Sequence, residues 1–257
     1  MGGFAAADVD GPPMPGDVKV GTAGWSIPAQ HAGEFPGAGS HLERYAQRLP
    51  AVEINSSFYR PHRPTTYERW ARSVPEGFQF ALKLPREITH TRRLVEVAQP
   101  LAQFLSDVAA LGDKLGPLLV QLPPSLAFTE GVAAAFFGAL RARFEGQVAC
   151  EPRHPTWFTD GADALLRHFE VARVAADPAR VPRAAEPGGW PGLAYYRLHG
   201  SPEMYYSAYG PEYLDALAEA IAAVASRAGA VWCIFDNTAR GEATRNALDL
   251  LRRVAAP

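Results

Sequence analysis

Val148-Ala149-Cys150-Glu151, then residues 161–168, then Val171-Ala172-Arg173-Val174-Ala175 read as a strand, a helix and a second strand. The two outer runs are short, apolar and β-branched, while Gly161 to His168 carries apolar positions three and four apart. A strand returning to a strand through a helix is the unit of a parallel sheet. Working outward, Val18–Ala23, Ala51–Asn55, Phe78–Leu84, Leu118–Leu122, Ala194–Leu198 and Val231–Phe235 bring the strand candidates to eight. Helical spacing fills most intervals: Pro100–Leu111, Thr129–Phe144, Pro211–Arg227 and Glu242–Val254. Ser40 with Glu43, and Thr65 with Glu68, have the spacing of a capping box, and Pro211 suits a first helical turn. Eight such units imply an α/β protein with one (β/α)8 barrel of the TIM type over residues 18–257. The sixth crossover, Asp177 to Gly192, holds Pro178, Pro182, Pro187 and Pro191 and is expected to be a loop. An open doubly wound sheet is the weaker solution, because Gly21-Thr22-Ala23-Gly24 is not the glycine fingerprint of that fold.

Composition narrows the function classes. The chain has 257 residues, 25 Lys plus Arg against 27 Asp plus Glu, and a formal net charge of -2, which argues against coating nucleic acid by bulk charge. Cys150 and Cys233 lie in apolar runs and are expected as buried thiols, since two cysteines make neither a disulfide scaffold nor a zinc site. Residues 1–17 lack the basic region and apolar core of a secretory signal and are expected to be a flexible leader. No apolar stretch is long enough to span a membrane, so a cytoplasmic protein is expected.

In TIM-type barrels the site forms at the C-terminal ends of the strands. Alternation along a strand puts Glu53 with Asn55, Lys83 with Ala81, Gln121 with Leu119, Glu151 with Arg153, and Arg197 with His199 on shared faces. Asp177 and Asn237 follow the sixth and eighth strands. So many polar groups at one end would cost stability unless they pair with one another or with a ligand, which points to a functional pocket.

The same residues carry a resemblance. Gly21-Thr22-Ala23-Gly24-Trp25-Ser26, Glu53-Ile54-Asn55-Ser56-Ser57-Phe58-Tyr59-Arg60, Phe80-Ala81-Leu82-Lys83 and Leu119-Val120-Gln121-Leu122-Pro123-Pro124 look like signature blocks of the YecE-like family, known as domain of unknown function 72. Glu151-Pro152-Arg153-His154-Pro155, Arg197-Leu198-His199-Gly200 and Phe235-Asp236-Asn237-Thr238 continue the match. The resemblance implies a TIM-type barrel and brings no assigned reaction. Asp236-Asn237 replaces the Asn-Asn found in many members, and Phe35-Pro36 replaces their Tyr-Pro.

Residue chemistry then gives the expected roles. Lys83, Arg153 and Arg197 favour a phosphate or carboxylate on the ligand. Glu151 and His199 are the expected acid–base pair of a hydrolase or lyase acting on a small anionic substrate, with Lys83 as a further catalytic group. Asn55, Gln121, Arg153, His154, Arg197, Asn237, Trp25 and Tyr59 are the expected substrate contacts. Further readings are a divalent metal on Glu151, Asp177 and His199, an imine at Lys83, and a glycosidase pair of Glu53 and Glu151. A non-catalytic module for a nucleotide or single-stranded nucleic acid is the reading from another class.

Overall fold

A computed structural model describes residues 17–255. The expected leader lies outside the described residues but for Asp17, which opens the first strand. Strands β1 (Asp17–Ala23), β2 (Ala51–Ile54), β3 (Gln79–Lys83), β4 (Leu115–Gln121) and β5 (Val148–Glu151) pair in chain order, all parallel. The sixth run comes in two pieces, β6 (Val171–Arg173) and β7 (Ala175–Asp177), parted at Val174. After them come β8 (Gly188–Gly189), β9 (Leu193–Leu198) and β10 (Ala230–Phe235). β6 pairs with β5 and β7 with β9, while β9 pairs with β10 and β10 with β1. The interrupted segment is therefore the stave that closes the ring. Counted once, it makes eight parallel staves; the ten strands arise from its break and from β8, which lies antiparallel on β6.

Besides the two residues of β8, the sixth crossover holds a 3-10 turn, Pro182–Ala185, and no α-helix. Buried Arg173 ties it down, donating to Asp163 Oδ1 at 2.7 Å and to the carbonyls of Arg183 and Glu186 at 2.8 and 3.2 Å. Four donors of one planar fork thus replace the packing a helix would supply.

Among the described residues, eight α-helices cover the staves: α1 (His41–Ala46), α2 (Ser56–Tyr59), α3 (Pro64–Arg72), α4 (Ala98–Val108), α5 (Glu130–Arg141), α6 (Asp160–His168), α7 (Pro211–Ala225) and α8 (Glu242–Val254). The Ser40 capping box forms, with Ser40 Oγ accepting from the Glu43 amide and Glu43 Oε2 accepting from the Ser40 amide. Thr65 is not a cap, because Pro64 takes the first helical position, with Arg63 before it, and moves the start two residues earlier. No described helix is long and apolar enough to cross a membrane.

Alternation divides the core in two. Val52, Ile54, Leu82, Val120, Cys150, Leu198 and Cys233 face the helices. Ala51, Ala81, Ala149 and Ala172 face inward and leave room for Tyr195 and Trp232, whose rings stack 6.2 Å apart. Both cysteines are free and buried. β1 and β2 approach closely at Gly21, where a Cβ would stand 2.1 Å from the Ala51 carbonyl oxygen. Gly21→Ala is expected to cost about 1–3 kcal/mol, seen as a lower urea midpoint at unchanged slope.

Candidate functional site

The inward face continues upward from these alanines and aromatics into polar residues. Ala51 leads to Glu53 and Asn55, Ala81 to Lys83, Leu119 to Gln121, Ala149 to Glu151 and Arg153, Tyr195 to Arg197 and His199, and Ile234 to Asp236. The barrel is thus apolar at one end of its axis and ionic at the other.

Arg197 sits at the centre, 0% exposed. Its Nε and Nη2 fork onto Glu53 at 3.0 and 2.7 Å, its Nη1 donates to Glu151 Oε2 at 2.5 Å, and Nη2 also reaches Asp236 Oδ2 at 3.1 Å. The Tyr195 hydroxyl donates to Glu53 at 2.8 Å, and Arg153 Nε and Nη2 both stand 3.0 Å from Glu151 Oε1. Gln121 Nε2 completes the Glu151 shell at 3.3 Å. His199 bridges two carboxylates, Nε2 to Glu151 at 3.3 Å and Nδ1 to Asp236 at 3.1 Å.

These contacts set the protonation states. Burial works to raise the carboxyls of Glu151 and Asp236, but Arg197 outweighs it, aided by Arg153 at Glu151 and by His199 at both, and holds each below its ordinary value. Burial opposes a charge on His199, yet its hydrogen bonds to Asp236 and Glu151 prevail and raise its pKa. Both ring nitrogens face carboxylates, so both want a proton and the imidazolium fits. Three carboxylates then balance Arg197, Arg153 and His199, leaving Lys83 as surplus positive charge.

The Lys83 ammonium differs from its neighbours in having no hydrogen bond within the described residues. Its Nζ lies 4.0 Å from the centroid of the Phe58 ring, on α2, which Ser57 fastens to β3 through the Lys83 carbonyl at 2.8 Å. Burial, with the charge of Arg197, brings its pKa down to about 8 against the pull of the three carboxylates. The side chain opens on a cavity of about 400 Å3 lined by Asn55, Tyr59, Arg86, His90, Gln121, Arg153, Tyr205 and Asp236 among others. Burial, Lys83 and Arg153 bring His90 down to about 4, so its imidazole is neutral near pH 7. The Asn55 Oδ1 is buried and accepts no hydrogen bond.

Of the expected site residues, Lys83, Asn55, Gln121, Arg153 and Tyr59 meet at this cavity. Glu151 and His199 lie beneath its floor, 2% exposed each, and border instead a recess of about 20 Å3 toward Arg180 and Met204. Arg197 is wholly occupied by carboxylates. His154 turns away and accepts from the Thr156 amide, and Trp25 packs edge-on against Trp70 and Phe80. Asn237 is fully buried and donates to the Ser207 carbonyl and to Asn246 Oδ1, both at 2.9 Å, so it ties a mouth loop to α8 and does not line the cavity. Alternation from Trp232 and Ile234 favours Asp236 over Asn237 as the inward residue, a signal that reading outward from the strand's end overlooks. Asp177 receives the Tyr209 hydroxyl at 2.8 Å, and the described residues contain no group of three His, Cys, Asp or Glu placed to hold a metal, so the triad of Glu151, Asp177 and His199 is not assembled. Sequence reading passed over Tyr195 and Arg86; Tyr195 shares its face with Arg197, and that alternation would have found it.

A second, larger cavity of about 540 Å3 lies outside the barrel, between the sixth crossover at Trp190 and α7. Its walls are mainly apolar, and none of the charged residues of the barrel mouth lines it.

Known proteins place this architecture. The crystal structure of a DUF72 family protein from Enterococcus faecalis superposes with a TM-score of 0.78 at 22% identity, covering 93% of this chain and 96% of that one. One from Thermotoga maritima gives 0.76 at 24% identity, covering 92% and 98%. In sequence, the UPF0759 protein YecE of Escherichia coli K12 is 30% identical over 152 residues, 57% of this chain and 55% of the relative. The UPF0759 protein YunF of Bacillus subtilis is 28% identical over 116 residues, 42% and 40% of the two chains, so the chain spans about half the length of the curated relatives it matches. The model of the protein family of unknown function DUF72 matches residues 19–257, and the chain belongs to that family.

Proposed function

We propose that the barrel mouth is the active site of a hydrolase or lyase that binds a small anionic substrate, bearing a phosphate or a carboxylate, in the cavity above Lys83. The observation that carries this reading is the Lys83 ammonium: 8% exposed, without a hydrogen-bond acceptor, and left over after the carboxylates beneath it are balanced. An anion bringing both charge and acceptors would satisfy it, with Arg153 and Arg86 in reach of the same space. The orphan Asn55 Oδ1 calls for a donor, such as a hydroxyl, on the same ligand.

Roles divide by position. Thr89 Oγ1 lies 2.9 Å from His90 Nδ1 and 3.5 Å from the Pro85 carbonyl. With its proton on that carbonyl, Thr89 accepts Nδ1–H and leaves the His90 Nε2 lone pair for the substrate. His90 is thus the proton-carrying group of the cavity. Glu151 and His199 act from below as positioning residues, since they hold Arg153 and Asp236 in place. Titration of inorganic phosphate into the protein tests the reading. Saturable binding to the wild type, weakened about tenfold or more in Lys83→Ala and largely kept in Lys83→Arg, is the expected result. Absence of saturable binding by phosphate and by pyruvate alike overturns it.

The exposed ring of Tyr59, with Tyr205 on the wall of the same cavity, favours a second reading in which a nucleotide stacks at the rim without turnover. Adenosine monophosphate binding much tighter than phosphate, with the gain lost in Tyr59→Ala, is its signature.

A further inference from the structure

The chain carries 25 basic side chains, of which only Lys19, Lys83 and Lys114 are lysines. Two of the three serve one turn of backbone. Lys19 Nζ donates to the Gly77 carbonyl at 3.0 Å, and Lys114 Nζ donates to the carbonyls of Pro75, at 2.9 Å, and Glu76. The third stands alone at the cavity, whose other basic side chains are arginines and a histidine. Anion binding by itself favours arginine, which offers a planar fork of donors and never loses its charge. A lysine offers something an arginine does not: an amine that can give up its proton and act as a nucleophile.

We propose that Lys83 forms an imine with the carbonyl carbon of an anionic aldehyde or ketone held in the cavity. This rests on the anion-binding reading and narrows it to carbonyl compounds that carry a phosphate or carboxylate. Three features of the geometry favour it. Nζ is free of acceptors and lies over the face of Phe58, so no hydrogen bond must break before attack. Arg86 flanks the same cavity and can meet the anionic group while the carbonyl meets Nζ, with Arg153, its Nε and Nη2 held by Glu151, adding its charge from the same wall. The Phe58 ring also packs edge-on to His90, 4.9 Å between centroids, which brings a neutral imidazole to the side of the amine. Burial has already shifted Lys83 toward its neutral form, with a pKa of about 8.

The step balances without an oxidant or reductant. The amine lone pair attacks the carbonyl carbon and forms the C–N bond as the C=O π pair moves to oxygen, which takes a proton to give the carbinolamine. The nitrogen loses its extra proton, with His90 in reach to carry it. The hydroxyl takes a second proton and leaves as water as the nitrogen lone pair forms C=N. The resulting cationic imine draws an electron pair from the bond next to it, which is the chemistry a lyase of carbonyl compounds needs.

Reductive trapping tests this on the intact wild-type protein. Glyoxylate with cyanoborohydride converts an imine to a stable secondary amine, and peptide mass spectrometry reads each of the three lysines separately. Lys83 is expected to label at least tenfold faster than Lys19 and Lys114, and faster with glyoxylate than with neutral acetaldehyde. Labelling of Lys83 no faster than Lys19 overturns the imine. Inorganic phosphate separates the two ideas: if phosphate binds by calorimetry while Lys83 stays unlabelled, the imine fails and the anion site stands. If Lys83 labels rapidly, equally with acetaldehyde, and phosphate neither binds nor protects, the imine stands and the anion site fails. The Lys83→Arg variant, keeping the cation, is expected to bind phosphate and to lose the label.

Discussion

Arg197→Ala is expected to lower folding stability by about 3–5 kcal/mol, the cost of removing one partner from a buried ion cluster. The geometry explains why the effect is large. Arg197 supplies four hydrogen bonds to Glu53, Glu151 and Asp236 from a wholly buried position, and truncation strands Glu53 with the Tyr195 hydroxyl alone. For a chain of this size such a loss lowers the melting temperature by about 6–20 °C. The pH dependence should also weaken. In the wild type, the depressed carboxyls of Glu151 and Asp236 give stability that is present above their unfolded values and lost as pH falls through the folded ones. Arg197 is the strongest influence lowering both, so without it their folded values rise toward the unfolded ones and the variant loses less stability than the wild type as pH falls toward 5. Urea denaturation at pH 5 and pH 8 measures both effects. A loss below about 1 kcal/mol, or an unchanged pH slope, would show that the carboxylates do not depend on Arg197. Arg197→Lys is expected to recover little, because one ammonium cannot replace a fork shared by three carboxylates.

Much of this arrangement is legible from alternation alone. Because β2 reads Ala51, Val52, Glu53, Ile54, the aliphatic pair assigns itself to the helices and Glu53 to the interior, and the same logic places Lys83, Gln121, Glu151, Arg197 and His199. What alternation does not give is partnership. Arg197 looks like a ligand-binding cation until the distances show its donors spent on Glu53, Glu151 and Asp236, and Lys83 looks like its equal until its Nζ is found without an acceptor. The break at Val174 was likewise beyond the sequence, since Val171 to Ala175 is an uninterrupted apolar run except for Arg173. That arginine turns outward to Asp163 and the sixth crossover, a contact between residues far apart in kind and set by tertiary geometry. His154 and Trp25 were drawn to the mouth by their place after strands, yet one caps the 3-10 turn that follows β5 and the other packs beside α3.

The pH profile of Glu151→Gln separates a residue that holds the site together from one that works in it. The substitution keeps the shape and removes a charge that Arg197, Arg153 and His199 all use, so a loss of about 3–5 kcal/mol is expected near pH 6. On the acid side, Glu151 contributes stability only above its depressed folded pKa; as pH falls through that value the wild type protonates and comes to resemble the variant. On the alkaline side, His199 has a raised pKa, so its share is complete below its unfolded value of about 6.5 and fades as pH rises through the folded one. The difference between wild type and variant should therefore peak in the window where Glu151 is an anion and His199 a cation, and narrow on both sides. Denaturation at pH 4, 6 and 9 tests this, and a difference independent of pH would refute the bridge. The same change deprives Arg153 of the carboxylate that occupies it, leaving its guanidinium free for a ligand at the cavity. Phosphate affinity should then rise as stability falls. Loss of phosphate binding in a folded Glu151→Gln would instead move Glu151 from beneath the site into contact with the ligand.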